Sequence, residues 1–214
     1  MLKKTIHIIL VFIAIFLLNS CFKPDKNPPK IFLSGSLQIQ IPINSNYIEP
    51  GYKAIDDRDG DLSYLVEITD SINTSLAKYY FVYYNVTDAS GNKANQAYRI
   101  VEVYHTSQFL TDVYNKNTTC FNSNVLNDNV TINYKGGSNT DLRINGLIEI
   151  QRTLNGYIYG NNKRKLKIPI QSFTDTTFYG DGQIDEAGNK IEIILHRQIN
   201  SITDTCNIIL TRYQ

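Results

Sequence analysis

Turn signals recur along most of this 214-residue chain, at the spacing of about eight to twelve residues that is typical of β-sandwiches and β-barrels. The runs between them are short and rich in Ile, Val, Thr, Tyr and Phe. One run alternates apolar residues with polar residues or proline, as a half-buried strand does, and its apolar members are Leu37, Ile39, Ile41 and Ile43. Because proline cannot donate a hydrogen bond within a sheet, Pro42 predicts that this strand lies at an edge. The sequence therefore predicts an all-β fold.

A β-hairpin is predicted near the middle of the chain. Its first strand has alternate hydrophobic residues, Tyr80, Val82, Tyr84 and Val86. The turn-forming residues of 88–92 follow, and the return strand is predicted over Lys93–Tyr104. If residues 89–92 form the turn, Asp88 pairs with Lys93, Tyr83 with Tyr98 and Phe81 with Ile100.

The first twenty residues have the pattern of a secretion signal, with Lys3 and Lys4 before an apolar run at 6–18. This run is shorter than the roughly 18 to 20 residues that a membrane-spanning helix needs. It ends in Leu-Asn-Ser-Cys at 18–21, which resembles a bacterial lipobox. The resemblance implies cleavage before Cys21 and a diacylglyceryl group on its sulfur. We therefore expect a signal peptide at 1–20, a lipid-anchored linker at 21–28, and a location on the bacterial outer membrane, facing either the periplasm or the cell surface.

The charge of the chain argues against a nucleic-acid partner. Two of the 21 basic residues and none of the 20 acidic residues lie in the predicted signal, which leaves a net charge of −1. The basic cluster Lys163–Lys165 follows Gly160 and two asparagines, and we interpret it as a solvated turn. No nucleic-acid partner is therefore expected.

The cysteine count favours a disulfide. With Cys21 lipidated, Cys120 and Cys206 form one even pair in an oxidising compartment. A bond between them would close a loop of 86 residues, which the chain-entropy model values at roughly 4 kcal/mol. The alternatives are a metal-binding pair, or a reactive thiol with His105 or His196 as its base.

Residues 29–103 carry a series of motifs in a fixed order. These motifs are Pro28–Ile31 at the entry, then Tyr47–Ala54, Asp56–Leu62 and Tyr84–Asn92. The segment resembles the bacterial immunoglobulin-like domains related to hyalin repeats, which occur in secreted proteins and lipoproteins. The resemblance implies an immunoglobulin-like β-sandwich at 29–104 and no particular activity.

The second half of the chain, residues 105–214, contains the motifs Ile168–Gln171, Tyr179–Gly182 and Asp185–Asn189. With these motifs it resembles the C-terminal β domains of Bacteroidetes-type lipoproteins. The resemblance implies a second small β-sandwich or a lipocalin-like β-barrel. In a closed domain the first and last strands pair, which would bring Cys120 close to Cys206.

An acidic loop is a candidate calcium site, and no other cofactor is expected. Asp57, Asp59 and Asp61 stand at alternate positions, as in many calcium loops. An EF-hand is excluded because Leu62 and Ile68 occupy the places of its glycine and glutamate. Alternatively, the loop makes a tight turn in which the aspartates accept hydrogen bonds from backbone N–H groups.

A candidate binding patch lies on the other face of the predicted hairpin, and consists of Tyr79, Phe81, Tyr83, Tyr98 and Ile100. A contiguous apolar patch on a protein surface usually marks an interface or a ligand platform. Aromatic rings suit the apolar faces of sugars, and tyrosine hydroxyls add hydrogen bonds. Alternatively, the patch packs against the second domain or a partner protein.

No enzyme motif is present, and the predicted mature chain has only two histidines, His105 and His196. Carboxylate pairs such as Asp175 with Asp181 occur, but nothing in the sequence places them in a cleft. We therefore predict a non-catalytic lipoprotein that binds an extracellular glycan or an envelope protein. The alternatives are a purely structural immunoglobulin-like spacer and a lipocalin-like carrier of a small apolar ligand.

Overall fold

The computed structural model describes residues 23–121, 128–148 and 152–213. The predicted signal peptide and its lipidation residue, Cys21, lie outside the described residues. The described chain is all-β, which confirms the predicted fold class, and its helical segments are two short 3₁₀ turns at Ser63–Leu65 and Asn161–Lys163. No helix in this part of the chain is long and apolar enough to cross a membrane.

Fifteen strands are described. In chain order they are β1 (Lys30–Leu33), β2 (Gln38–Pro42), β3 (Tyr52–Asp56), β4 (Gly60–Asp61), β5 (Glu67–Asp70), β6 (Tyr79–Asn85), β7 (Ala97–Tyr104), β8 (Asp112–Cys120), β9 (Asn129–Tyr134), β10 (Asp141–Asn145), β11 (Thr153–Tyr159), β12 (Lys165–Ser172), β13 (Thr176–Ile184), β14 (Lys190–Ile199) and β15 (Ile202–Arg212).

Two compact units divide the chain. Of the described residues, unit 1 contains 23–34, 51–68 and 84–97, and unit 2 contains 35–50, 69–83 and those from 98 onward. Each unit consists of separate chain segments that pack together, whereas each predicted domain is one continuous segment of the sequence. The predicted domain boundaries after residues 20, 28 and 104 stay predictions.

Unit 1 contains an antiparallel sheet of three strands in the order β1-β3-β4. One small apolar cluster in this unit is formed by buried Ala54, Leu62 and Val86. The predicted turn at 88–92 is present, but the predicted pairing of Asp88 with Lys93 is wrong, because Thr87 pairs with Lys93 instead. Asp88 belongs to the turn itself, where its side chain accepts a hydrogen bond from the backbone N–H of Asn92.

The sheet β2-β7-β6-β5 has most of its residues in unit 2. Strand β2 lies at its edge, parallel to β7, which confirms the prediction from Pro42. In β6 the alternate residues Tyr80, Val82 and Tyr84 are buried, as their spacing predicted. The predicted return strand begins later than expected, at Ala97 rather than at residue 93.

Strands β8 to β15 form a closed barrel, called the barrel below, in which each strand pairs antiparallel with the next along the chain and β15 pairs with β8. The second half of the chain is therefore a barrel rather than a sandwich. Eight strands leave an interior that side chains can fill, and the inward residues are mainly aliphatic. Fully buried examples are Ile132, Ile144, Leu166, Phe178, Leu195 and Leu210.

The predicted disulfide joins the two strands that close the barrel. Cys120 in β8 lies directly opposite Cys206 in β15, with 4.1 Å between their Cα atoms, and their sulfurs are bonded. Both the pairing of the cysteines and the pairing of the first and last strands are therefore confirmed. A disulfide-bonded pair is neither a free thiol nucleophile nor a metal-binding thiolate pair.

Candidate functional site

The aromatic face is the surface formed by exposed Tyr79, Phe81, Tyr83 and Tyr98 with half-buried Ile100, all of them in unit 2. Side chains along a strand point alternately to opposite faces, so burial of Tyr80 and Val82 turns the odd-numbered residues of β6 outward. The exposed fractions of Tyr79, Phe81 and Tyr83 are 38%, 41% and 36%, and that of Tyr98 in β7 is 52%. More than a third of the accessible surface of each of these four residues is therefore exposed in the described structure.

Three of these rings are in mutual contact. Phe81 and Tyr83 lie side by side with ring centroids 6.0 Å apart and planes only 14° from parallel. The ring of Tyr98 is tilted against both, with centroids 5.9 Å from that of Phe81 and 6.5 Å from that of Tyr83. The structure thus places three residues of the predicted patch, Phe81, Tyr83 and Tyr98, on one contiguous surface.

Strand β2 pairs with β7 and brings polar side chains to the edge of the aromatic face. The register sets Gln38 beside Ile100 and Gln40 beside Glu102. Gln40 Nε2 donates to Glu102 Oε2 over 2.8 Å, and the backbone N–H of Asn162 donates to Glu102 Oε1 over the same distance. Glu102 is thereby fixed in position while most of its side chain is buried.

Glu102 also contacts the aromatic face through Tyr79. Burial raises the pKa of the Tyr79 hydroxyl, and the charge of Glu102 and a hydrogen bond to it raise the pKa further. Tyr79 is therefore a neutral hydrogen-bonding phenol at physiological pH. Sequence reasoning missed Glu102, although its alternation with Tyr98 and Ile100 in β7 was a signal that the three share one face.

The acidic loop is held by hydrogen bonds of its own within unit 1. Asp57 Oδ2 accepts from Asn27 Nδ2 over 2.8 Å, and Asp59 Oδ2 accepts from the Ala89 backbone N–H over 2.8 Å. Asp61 Oδ1 accepts from both the backbone N–H and the hydroxyl of Ser63, and these bonds lower the pKa of Asp61.

The structure does not bring the three predicted calcium ligands together. Asp57, Asp59 and Asp61 belong to no acidic group whose ligand atoms lie within 4.8 Å of one another. The alternative in which the aspartates accept hydrogen bonds from backbone N–H groups matches Asp59 and Asp61, whereas Asp57 accepts from the side chain of Asn27. Calcium binding by this trio stays a prediction.

Both histidines of the predicted mature chain are held by structural contacts. His105 is buried, with Nε2 3.0 Å from the Asp185 carbonyl oxygen and its ring stacked on Phe109, and burial is the main cause that lowers its pKa. His196 stacks on Tyr179 and places Nδ1 3.0 Å from the Thr205 hydroxyl. Since the cysteines are bonded to each other, the Cys/His nucleophile considered from the sequence is wrong.

Comparison with known proteins gives one family match. A search of curated proteins finds no significant match. Among solved structures, a lipoprotein from Bacteroides thetaiotaomicron is 15% identical, and the match covers 86% of this chain and 100% of that chain with a TM-score of 0.35. The CBM51-2 and INT domains of ZmpB from Clostridium perfringens are 14% identical, and the match covers 84% of this chain and 43% of that chain with a TM-score of 0.28. Residues 31–103 match the family model for the Ig-like domain of bacterial surface proteins, which confirms the N-terminal immunoglobulin-like domain that the motifs predicted.

Proposed function

We propose that this chain is a non-catalytic module of the bacterial cell envelope that binds an extracellular polysaccharide through its aromatic face. The family match fits an envelope location, because that family is described from bacterial surface proteins. The lipobox-like residues 18–21 support a lipid anchor at Cys21 and attachment to the outer membrane. Membrane attachment and the absence of catalysis are both parts of the proposal.

The mutual contact of the exposed rings of Phe81, Tyr83 and Tyr98 is the observation that carries the proposal. The rings offer apolar surface for stacking, whereas the exposed side chain of Gln40, hydrogen-bonded to Glu102, supplies an amide at the edge of the aromatic face. A polysaccharide presents apolar ring faces and hydroxyl groups together, so both kinds of surface have a complement in one ligand.

The other two roles have less support. A carrier of a small apolar ligand needs internal space, whereas the described interior of the barrel is filled by aliphatic side chains. A pure spacer has no use for a contiguous row of exposed rings, which is a liability for a soluble surface unless it serves a contact.

The proposal is tested by measuring polysaccharide binding with residues 22–214, which include every described residue. A panel of polysaccharides is tested by affinity electrophoresis, and hits are quantified by calorimetry. We expect saturable binding that disappears in the triple variant Tyr79→Thr, Phe81→Thr, Tyr83→Thr. Threonine suits this comparison because it keeps β propensity while removing the rings.

The matched control is Tyr134→Thr, which removes a tyrosine of similar exposure from β9 and should leave binding unchanged. Circular dichroism checks that each variant is folded, and the single variant Phe81→Thr replaces the triple variant if that one unfolds. A folded wild-type protein that binds no polysaccharide contradicts the proposal and redirects the search to a protein partner. Binding that survives loss of the rings contradicts the assignment to the aromatic face.

A further inference from the structure

Three aspartates from distant parts of unit 1 converge at one point. Asp25 lies in the predicted linker, Asp56 is the last residue of β3, and Asp88 begins the turn after β6. Each places a carboxylate oxygen within 4.8 Å of the other two. The three residues are separated by about thirty positions each, so no local motif joins them in the sequence.

Two of these carboxylates have an oxygen that is buried without a hydrogen-bond donor. Asp56 is 4% exposed and Asp88 is 6% exposed, and the Oδ2 atoms of Asp25 and Asp56 accept no hydrogen bond. No ion pair within the described part of the chain involves any of the three. Buried carboxylate oxygens without a partner are costly, and a bound cation would offset this cost.

We propose that Asp25, Asp56 and Asp88 bind a calcium ion. The cluster offers only carboxylate oxygens and no His or Cys ligand, which suits a hard cation. Calcium accepts six to eight oxygens in flexible geometry, whereas magnesium demands a near-ideal octahedron. Three carboxylates from three separate segments fit the more tolerant ion, with water or backbone oxygens completing its shell.

Hydrogen bonds hold the carboxylates in place. Asp56 Oδ1 accepts from the backbone N–H groups of Arg58 and Asp59, each over 2.9 Å, and Asp25 Oδ1 accepts from the Asn27 N–H over 3.0 Å. In both residues these bonds use Oδ1 and leave Oδ2 for a ligand.

Asp88 is fixed by Asn92, whose backbone N–H and side-chain amide donate to its two oxygens over 2.7 and 2.8 Å. Burial raises the pKa of Asp88, but hydrogen bonds from Asn92 and from the backbone of Ser90 and Gly91 outweigh it, so that the pKa lies below its ordinary value. Asp88 is therefore ionised at neutral pH.

The site would fasten linker residues 23–28 to the strands and turns of unit 1. Asn92 Nδ2 already lies 3.3 Å from the Asp25 carbonyl oxygen and 3.4 Å from that of Asn27, and Asn27 itself donates to Asp57. Calcium would add bonds from the Asp25 side chain to Asp56 and Asp88. Since Asp25 is only four residues beyond Cys21, calcium would then fix the chain close to the predicted lipid anchor against the strands of unit 1. This consequence depends on lipidation of Cys21, whereas calcium binding itself depends on neither the anchor nor polysaccharide binding.

Calcium titration of residues 22–214, stripped with EDTA, tests the site. We expect calorimetry to give one calcium site and thermal unfolding to shift upward in calcium by more than in magnesium. Asp56→Asn keeps one oxygen for the backbone donors but replaces the other with an NH₂ group, which cannot bind calcium. We expect this variant to weaken calcium binding by at least about tenfold. Asp61→Asn is the matched control and should keep the wild-type affinity, because the side chain of Asp61 accepts its hydrogen bonds from Ser63.

Hydrogen exchange supplies the second readout, since calcium should slow exchange at residues 23–28 in the wild-type protein and not in Asp56→Asn. If Asp56→Asn does not fold, Asp25→Asn takes its place, because among the described residues only Asn27 donates a hydrogen bond to the Asp25 side chain. A protein with neither a binding heat nor a thermal shift in millimolar calcium overturns the proposal. So does loss of calcium in Asp61→Asn with retention in Asp56→Asn, which would assign the ion to the acidic loop.

Discussion

The barrel and unit 1 are stabilised by different means. The barrel has a continuous aliphatic core and a disulfide between its closing strands. The small apolar cluster of Ala54, Leu62 and Val86 in unit 1 is accompanied by loops in which aspartate and asparagine side chains hold backbone groups. Where apolar burial is small, polar side chains fix the loops, and the same side chains can bind an ion. The comparison teaches that a ligand site made of loop carboxylates belongs with the polar unit and not with the filled barrel.

The largest expected difference between the two regions lies in their cores. Phe178 is fully buried in the barrel, and we expect Phe178→Ala to lower the free energy of unfolding of the barrel by about 3 to 5 kcal/mol. We expect Val86→Ala in unit 1 to cost only about 1 to 2 kcal/mol, because it removes two methyl groups. Hydrogen exchange, read separately for peptides of the barrel and of unit 1, measures both. An equal or larger loss at Val86 would show that unit 1 depends on apolar packing as strongly as the barrel does.

The disulfide gives the second test. Replacing both Cys120 and Cys206 with alanine should destabilise the barrel by about 2 to 4 kcal/mol, because the unfolded chain regains the freedom of an 86-residue loop. Denaturant unfolding with and without reducing agent measures the loss, and the double variant should no longer respond to the reducing agent. Exchange at amides of unit 1 is the internal control. A barrel that is equally stable after loss of the bond would show that strand pairing alone closes it.

Much of the fold could be predicted because strand signals are local. Alternation identified the buried residues of β6, and Pro42 marked an edge strand. The disulfide followed from a cysteine count and from the closure of a barrel. The turn at 88–92 was predicted with its register shifted by one residue, because the side-chain bond that draws Asp88 into the turn is not visible in composition.

The acidic cluster could not be predicted, because it depends on contacts between residues far apart in the chain. The alternate spacing of Asp57, Asp59 and Asp61 drew attention to one loop, whereas the fold brings together Asp25, Asp56 and Asp88. Glu102 was only partly predictable from the sequence. Its place in β7 followed from alternation, but its contact with Gln40 required the parallel pairing of β2 with β7.

The smallest expected effect is the acid response of unit 1 in the presence of EDTA. The pKa of Asp88 is lower in the folded protein than in the unfolded chain, so its contribution to stability is complete at neutral pH. As the pH falls below about 4, the unfolded chain takes up a proton first and this contribution is lost. Asp88→Asn cannot ionise, so the difference in Tm between wild type and variant should be largest above about pH 5 and shrink toward pH 3. Thermal unfolding by circular dichroism across this range measures the difference. A difference that stays constant with pH would mean that Asp88 acts in the folded protein only through hydrogen bonds, which an uncharged amide makes equally well. Unit 1 would then have no acid response through this residue, and in that respect it would not differ from the barrel.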